Sequence, residues 1–262
     1  MSEFNSAVAA GLFSGLCATL AGFAVSGIIF VVALLTREER QSLSAHSSPG
    51  APGAADDPDV PLALLTAAFV GLVLSSLAYG LMAGEPPHSP RLAAEQIIVG
   101  CGSGTGALIL LLAVRRLVCS AAPDLNRWTR HVVGIGAPCV VWLYLAEGTR
   151  HVGSVFETNQ YVLWSVLGAT GLVQLASGAV ALWIPRRTAM QTRHFLRLAS
   201  VGVLTPTVAT AGVALTPTLF PDDSPPQMVV LYAMLTLCVL GTSFFTVHVG
   251  RAVRGETEGF LD

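Results

Sequence analysis

Glu95 is a carboxylate inside a stretch long enough to cross a bilayer, Leu92 to Val114, and the same stretch carries Gly100, Gly102, Gly104 and Gly106 at alternate positions. An acid held in hydrocarbon is costly and marks a functional site by default, as a ligand for a cation or as a general acid toward a lipophilic substrate. On helical spacing Glu95, Gly102, Gly106 and Ala113 fall on one face. The carboxylate therefore shares its face with residues that let another helix come close, and that face must look into protein. The plainer alternative is an interfacial carboxylate, because Glu95 lies only about 5 Å inside the end of its span at 1.5 Å per residue and can reach water or headgroups. The glycines lack the preceding strand and the following Lys or acid of a phosphate-binding loop. Close packing or an unwound, ion-binding segment remain as their readings.

Other polar groups join Glu95 as candidate ligands. Gln96 follows it directly, and Gln174 lies near the middle of a later apolar run, where a buried amide needs a partner. A local repeat, Leu204-Thr-Pro-Thr207 and Leu215-Thr-Pro-Thr218, offers Thr205 and Thr207, with Thr210 between the copies. Proline inside a span frees a carbonyl, which a neighbouring threonine can satisfy in a static kink or release in a hinge. Glu147 and His151 are an i, i+4 pair and weak candidates for a divalent metal; the alternative is that outer loops are acidic because arginine is excluded from them. His131, His194 and His248 sit at span ends without the HxxxH spacing of zinc-dependent membrane hydrolases. No cofactor is expected.

The elements that must position these groups follow from composition. Hydrophobic residues make up 53% of 262 positions and charged residues 11%, against about 25% charged in an ordinary soluble domain. Such a chain partners a lipid bilayer and not nucleic acid. All 14 basic residues are Arg, which excludes Schiff-base chemistry on a lysine and hints at a GC-rich bacterial genome. Five cysteines at Cys17, Cys101, Cys119, Cys139 and Cys238 form no CxxC pair and give no disulfide or zinc framework.

Seven spans are expected, at about 7–35, 62–83, 92–114, 132–146, 161–184, 198–220 and 228–247, making an all-α polytopic bundle. The first is too long for a signal peptide, and its Gly11, Gly15, Gly22 and Ser26 form a stripe for close helix packing. Residues 42–61, rich in Ser, Ala, Pro, Gly and Asp, form a flexible cytoplasmic loop. The fourth span is short, about 22 Å where the hydrocarbon needs about 30 Å. Pro138 is expected to kink it near its middle, and Trp142 and Tyr144 to lie in an interfacial aromatic belt. Arg115 and Arg116 begin a basic loop, and the two prolines of the sixth span make it bent or broken.

Orientation follows from arginine counting. The six loops carry 2, 1, 4, 1, 4 and 0 arginines in order, and the C-terminal tail carries 2. Placing the odd loops and the tail in the cytoplasm puts 12 arginines inside and 2 outside, with the N-terminus outside and the cell membrane as location. Three functional expectations result. The first is a bundle that binds, conducts or transports a small ligand or ion through Glu95, Gln174 and the Thr205–Thr210 region. The second is an intramembrane enzyme acting on a prenyl or lipid-like substrate with Glu95 or Glu147 as general acid. The third is a scaffold or subunit whose glycine-lined faces take partner membrane helices.

Overall fold

The computed structural model describes residues 6–44, 59–85, 90–121, 135–155, 159–183, 192–219 and 228–258. They form seven helices: α1 (Ser6–Ser44), α2 (Asp59–Met82), α3 (Pro90–Ala121), α4 (Ala137–Val155), α5 (Gln160–Trp183), α6 (Thr192–Leu219) and α7 (Met228–Glu258). No strand occurs among the described residues. Six helices are long and apolar enough to cross a membrane, over Val8–Arg37, Asp59–Met82, Ala94–Val118, Gln160–Val180, Phe195–Leu215 and Tyr232–Val249. The chain is therefore an all-α, multi-pass membrane bundle. The helix outside this set is α4, whose second half carries Glu147, Arg150 and His151. Most of the 42–61 loop, residues 45–58, lies outside the described residues.

The bundle is organised on α3. Its span is 78% buried, against 17% for the span of α1. Helices α2, α4, α6 and α7 all pack on it, while α1 lies chiefly on α2, and α5 bridges α4 and α7. The small residues of α3 make this crowding possible. An ideal Cβ at Gly102 would stand 3.1 Å from both Pro206 Cα and Ala209 Cβ, and one at Gly104 would stand 3.5 Å from Val141 of α4.

The tightest packing joins α2, α3 and α6. A Cβ at Gly71 would lie 2.9 Å from the Gly202 carbonyl oxygen and 3.0 Å from Pro206 Cγ, and one at Gly202 would lie 2.6 Å from Ile109 Cγ1. Pro206 has no N–H for the carbonyl four residues before it, which is that of Gly202. The freed oxygen instead faces the bare side of Gly71, where a Cα–H is the available weak donor. Contrary to the expected break, α6 runs as one continuous helix through Pro206 and Pro217. The glycine of a neighbouring helix, and not a chain rupture, accommodates the proline.

Three further expectations are corrected. Gly11, Gly15 and Gly22 have no other heavy atom of the chain within 4 Å of a built Cβ, and Ser26 is exposed. The stripe faces away from the bundle. The buried seam of α1 runs instead through Ala10, Cys17, Ala21, Ala24 and Val31, a spacing that alternates around the heptad of a helix pair. It is fixed on α2 by reciprocal bonds, Ser14 Oγ to the Ser76 carbonyl at 2.9 Å and Ser76 Oγ to the Ser14 carbonyl at 3.0 Å. Second, Pro138 is the second residue of α4. In the first helical turn its missing N–H has no partner to lose, so it starts the helix and does not kink it. Third, Arg115 and Arg116 belong to α3, which continues to Ala121. Arg115 is 1% exposed, and the Arg116 guanidinium stacks 4.6 Å from the centre of the Phe195 ring of α6, a cation–π contact that ties the inner ends of the two helices.

Candidate functional site

Glu95 is 2% exposed, and Gly102, Gly106 and Ala113 on its face are buried with it. One turn before it stands Arg91, whose Nε lies 3.8 Å from Glu95 Oε1 and whose Nη2 also pairs with Glu85, just beyond the end of α2. One guanidinium thus serves two carboxylates, and the cluster carries a net negative charge. The i, i+4 spacing of Arg91 and Glu95 was available in the sequence as a signal for this counter-ion. Two helical turns further along the same face is Gly102, against Pro206 and Ala209 of α6. Glu95 therefore heads the α2–α3–α6 junction.

Thr210 reaches the same junction. Its hydroxyl donates to the Pro206 carbonyl at 2.8 Å, with the Leu74 carbonyl of α2 as a second acceptor at 3.2 Å. Thr205 and Thr207 do not join it. Their hydroxyls donate to Val201 and Val203 of their own helix at 2.9 and 2.7 Å, and Thr207 is exposed. Neither bonds the carbonyl that Pro206 frees.

Gln174 belongs to a different place, the contact of α5 with α7. It is 0% exposed; its Nε2 donates to Thr242 Oγ1 at 2.8 Å and lies 3.3 Å from the Val239 carbonyl. Thr242 in turn donates to the Cys238 carbonyl at 2.7 Å. The amide works as an interhelix clasp, with Thr170 and Ser177 buried on the same face. Gln96 is buried one residue from Glu95, but successive helical residues project about 100° apart and the two do not share a face. Among the described residues, Gln96 Oε1, Gln174 Oε1 and Ser243 Oγ have no hydrogen-bond partner. Glu147 and His151 lie one turn apart in α4, and their side chains fall outside the described residues.

Trp142 departs from the expected interfacial belt. Its Nε1 donates to the Leu167 carbonyl at 3.1 Å, and its indole lies against Gly171, where a Cβ would meet Nε1 at 2.9 Å. It locks α4 to α5. Beside it an open groove of about 330 Å³ is lined by Pro138, Cys139, Leu167 and Leu172. A second groove of about 320 Å³, between α5 and α7, is lined by Thr170, Val173, Tyr232 and Leu235. Neither groove has a carboxylate in its lining, so neither pairs an apolar pocket with the acid that hydrolysis or transfer would use.

The arrangement can do one thing chemically at its buried carboxylate: hold a positive or hydrogen-bond-donating group at the outer end of α3. The residues missed by sequence reasoning are the packing arginines, Arg91 and Arg115, which were counted as loop charges. No protein-family model, curated protein or solved structure matches the chain.

Proposed function

We propose that this membrane protein crosses the bilayer seven times, with its N-terminus outside and its C-terminus in the cytoplasm, and binds a small cationic or hydrogen-bond-donating ligand at the head of the α2–α3–α6 junction. The seventh crossing is α4. Its 19 residues give about 28 Å of helix at 1.5 Å per residue, close to the hydrocarbon thickness. It also runs antiparallel beside the span of α3, with Gly148 on Ile97 and Val141 on Gly104. Seven crossings restore the segregation of 12 arginines from 2 and so carry the orientation.

The observation that carries the ligand reading is Glu95, a 2%-exposed carboxylate inside a span and on the face that leads to Thr210. The bridge to Arg91 and Glu85 lies on its outer side and forms the lid through which a competing cation would enter. The clasped Gln174 and the self-bonded Thr205 and Thr207 do not form a continuous polar path with it, which favours binding over conduction. The test is native mass spectrometry of the chain released from lipid nanodiscs, comparing the original sequence with Glu95→Gln. A reproducible added mass that the variant loses is the expected result. Two forms that both fly bare, or both keep the same mass, would remove the proposal.

A second reading rests on a separate observation, the outward glycine stripe of α1. Gly11 and Gly15 have the small-xxx-small spacing that lets membrane helices approach, and nothing in the chain fills it. A subunit role, with a partner helix on this stripe, is the reading it favours. Substituting Gly15→Ile while leaving the fold intact is expected to release such a partner; a chain that purifies alone from mild detergent in both forms counts against it.

A further inference from the structure

The thiols of Cys101 on α3 and Cys238 on α7 hydrogen-bond to each other. Both residues are half-buried and neither is in a disulfide. Their helices pack side by side, and their depths agree. Cys101 is seven residues into the span that starts at Ala94, and Cys238 is six residues into the span that starts at Tyr232, about 10 Å and about 9 Å of helix. Two sulfurs already in contact reach the disulfide bond length of about 2 Å by small side-chain rotations.

We propose that Cys101 and Cys238 are a redox-active pair that closes to a disulfide within the bilayer, with a lipid-soluble quinone as oxidant. In the step a sulfur–sulfur bond forms and both S–H bonds break. The two thiols together give up two electrons and two protons, and the quinone takes them to become the hydroquinone. The location selects the oxidant class: both cysteines sit inside apolar spans with part of their surface open to lipid, where a hydrophilic disulfide such as oxidised glutathione does not partition. Closure would tie α3, the helix that carries Glu95, covalently to α7. Neither the pair nor the oxidant depends on the ligand reading.

The experiment uses the full chain in lipid vesicles, treated with a short-tailed quinone, then denatured and alkylated without reduction. A dithiol embedded in parallel vesicles confirms that the quinone is active. Five alkylated cysteines before oxidation are expected to fall to three, with peptide mapping joining Cys101 to Cys238 and the hydroquinone appearing in equal amount. Cys101→Ser and Cys238→Ser are each expected to keep all four remaining thiols alkylable. Retention of five adducts in the original chain overturns the proposal, as does a bridge that uses Cys17, Cys119 or Cys139, or one that joins two copies.

Discussion

Substituting Gly71→Ala adds one methyl group at the point where α2 meets α6. The new carbon would stand 2.9 Å from the Gly202 carbonyl oxygen and 3.0 Å from Pro206 Cγ. Both neighbours are rigid, one a backbone oxygen and the other part of a ring. Ordinary van der Waals contact starts near 3.4 Å, so the two helices must part by about 0.5 Å, and the α3 contact through Gly106, 3.8 Å from the same carbon, loosens with them. Overpacking of a well-filled interior costs about 1–3 kcal/mol, and a middle value of about 2 kcal/mol raises the unfolding equilibrium constant about 30-fold. The assay is reversible unfolding in mixed micelles, followed by tryptophan fluorescence. The matched comparison is Gly15→Ala, where no heavy atom of the chain lies within 4 Å and the better helix propensity of alanine gives a gain of up to about 1 kcal/mol. If the two substitutions change the unfolding constant alike, within about threefold or 0.6 kcal/mol, the close approach of α2 and α6 is not what holds the bundle, and the reasoning fails.

Other consequences can be measured in the same micelles. Gln174→Leu and Thr242→Val are each expected to destabilise by about 1 kcal/mol, and the double variant by less than their sum, since polar pairs between membrane helices couple by about 0.6–1.7 kcal/mol; strict additivity would show that the 2.8 Å bond contributes nothing. Arg91→Gln leaves the buried Glu95 carboxylate without its guanidinium, and loss of one partner of a buried pair costs up to about 3–5 kcal/mol. The residual exposure of Arg91 moderates this to about 2 kcal/mol, and Glu95→Gln, which removes the charge itself, is expected to cost less; the reverse order would refute the ion pair as the reason Glu95 is tolerated. Reporter fusions address the crossings: a C-terminal fluorescent domain is expected to mature in the cytoplasm while an N-terminal tag is cleaved by external protease. Both termini on one side would mean an even number of crossings and exclude α4.

How far the sequence foretold this depends on the kind of residue. The burial of Glu95, Gly102, Gly106 and Ala113 was legible because helical periodicity alone puts them on one face, and a carboxylate on that face leaves no lipid-facing solution. Periodicity could not say which stripe of α1 is used. Its glycines and its alanines both repeat at helix spacing, and only the shape of α2, with Ser76 opposite Ser14 and Leu65 opposite Gly27, selects the alanines. Pro138 was misread because its effect depends on where the helix begins, and one residue's displacement from interior to first turn reverses the meaning of proline. Arg115 was counted as a loop charge since nothing local announces that a charged side chain will be enclosed. The clasp of Gln174 was half legible: an amide in mid-span demands a partner, but the identity of Thr242, 68 residues away, is a property of the packed helices.

The junction of α2, α3 and α6 also sets a schedule for making the protein. Gly102 leaves the ribosome 104 residues before Pro206, the residue that covers it. At a synthesis rate of about 5–20 residues per second, that face waits about 5–20 s for its cover. During the wait the nascent α3 presents a glycine-lined surface and a carboxylate while α4 and α5 are still being inserted. A newborn chain in this condition invites an insertase or a lipid headgroup to shield Glu95. It is also the moment when a mistimed pause would leave α2 and α3 free to pair with a neighbouring ribosome's product, so errors in biogenesis are expected to surface first as chains that contain α1 to α5 and have not yet closed.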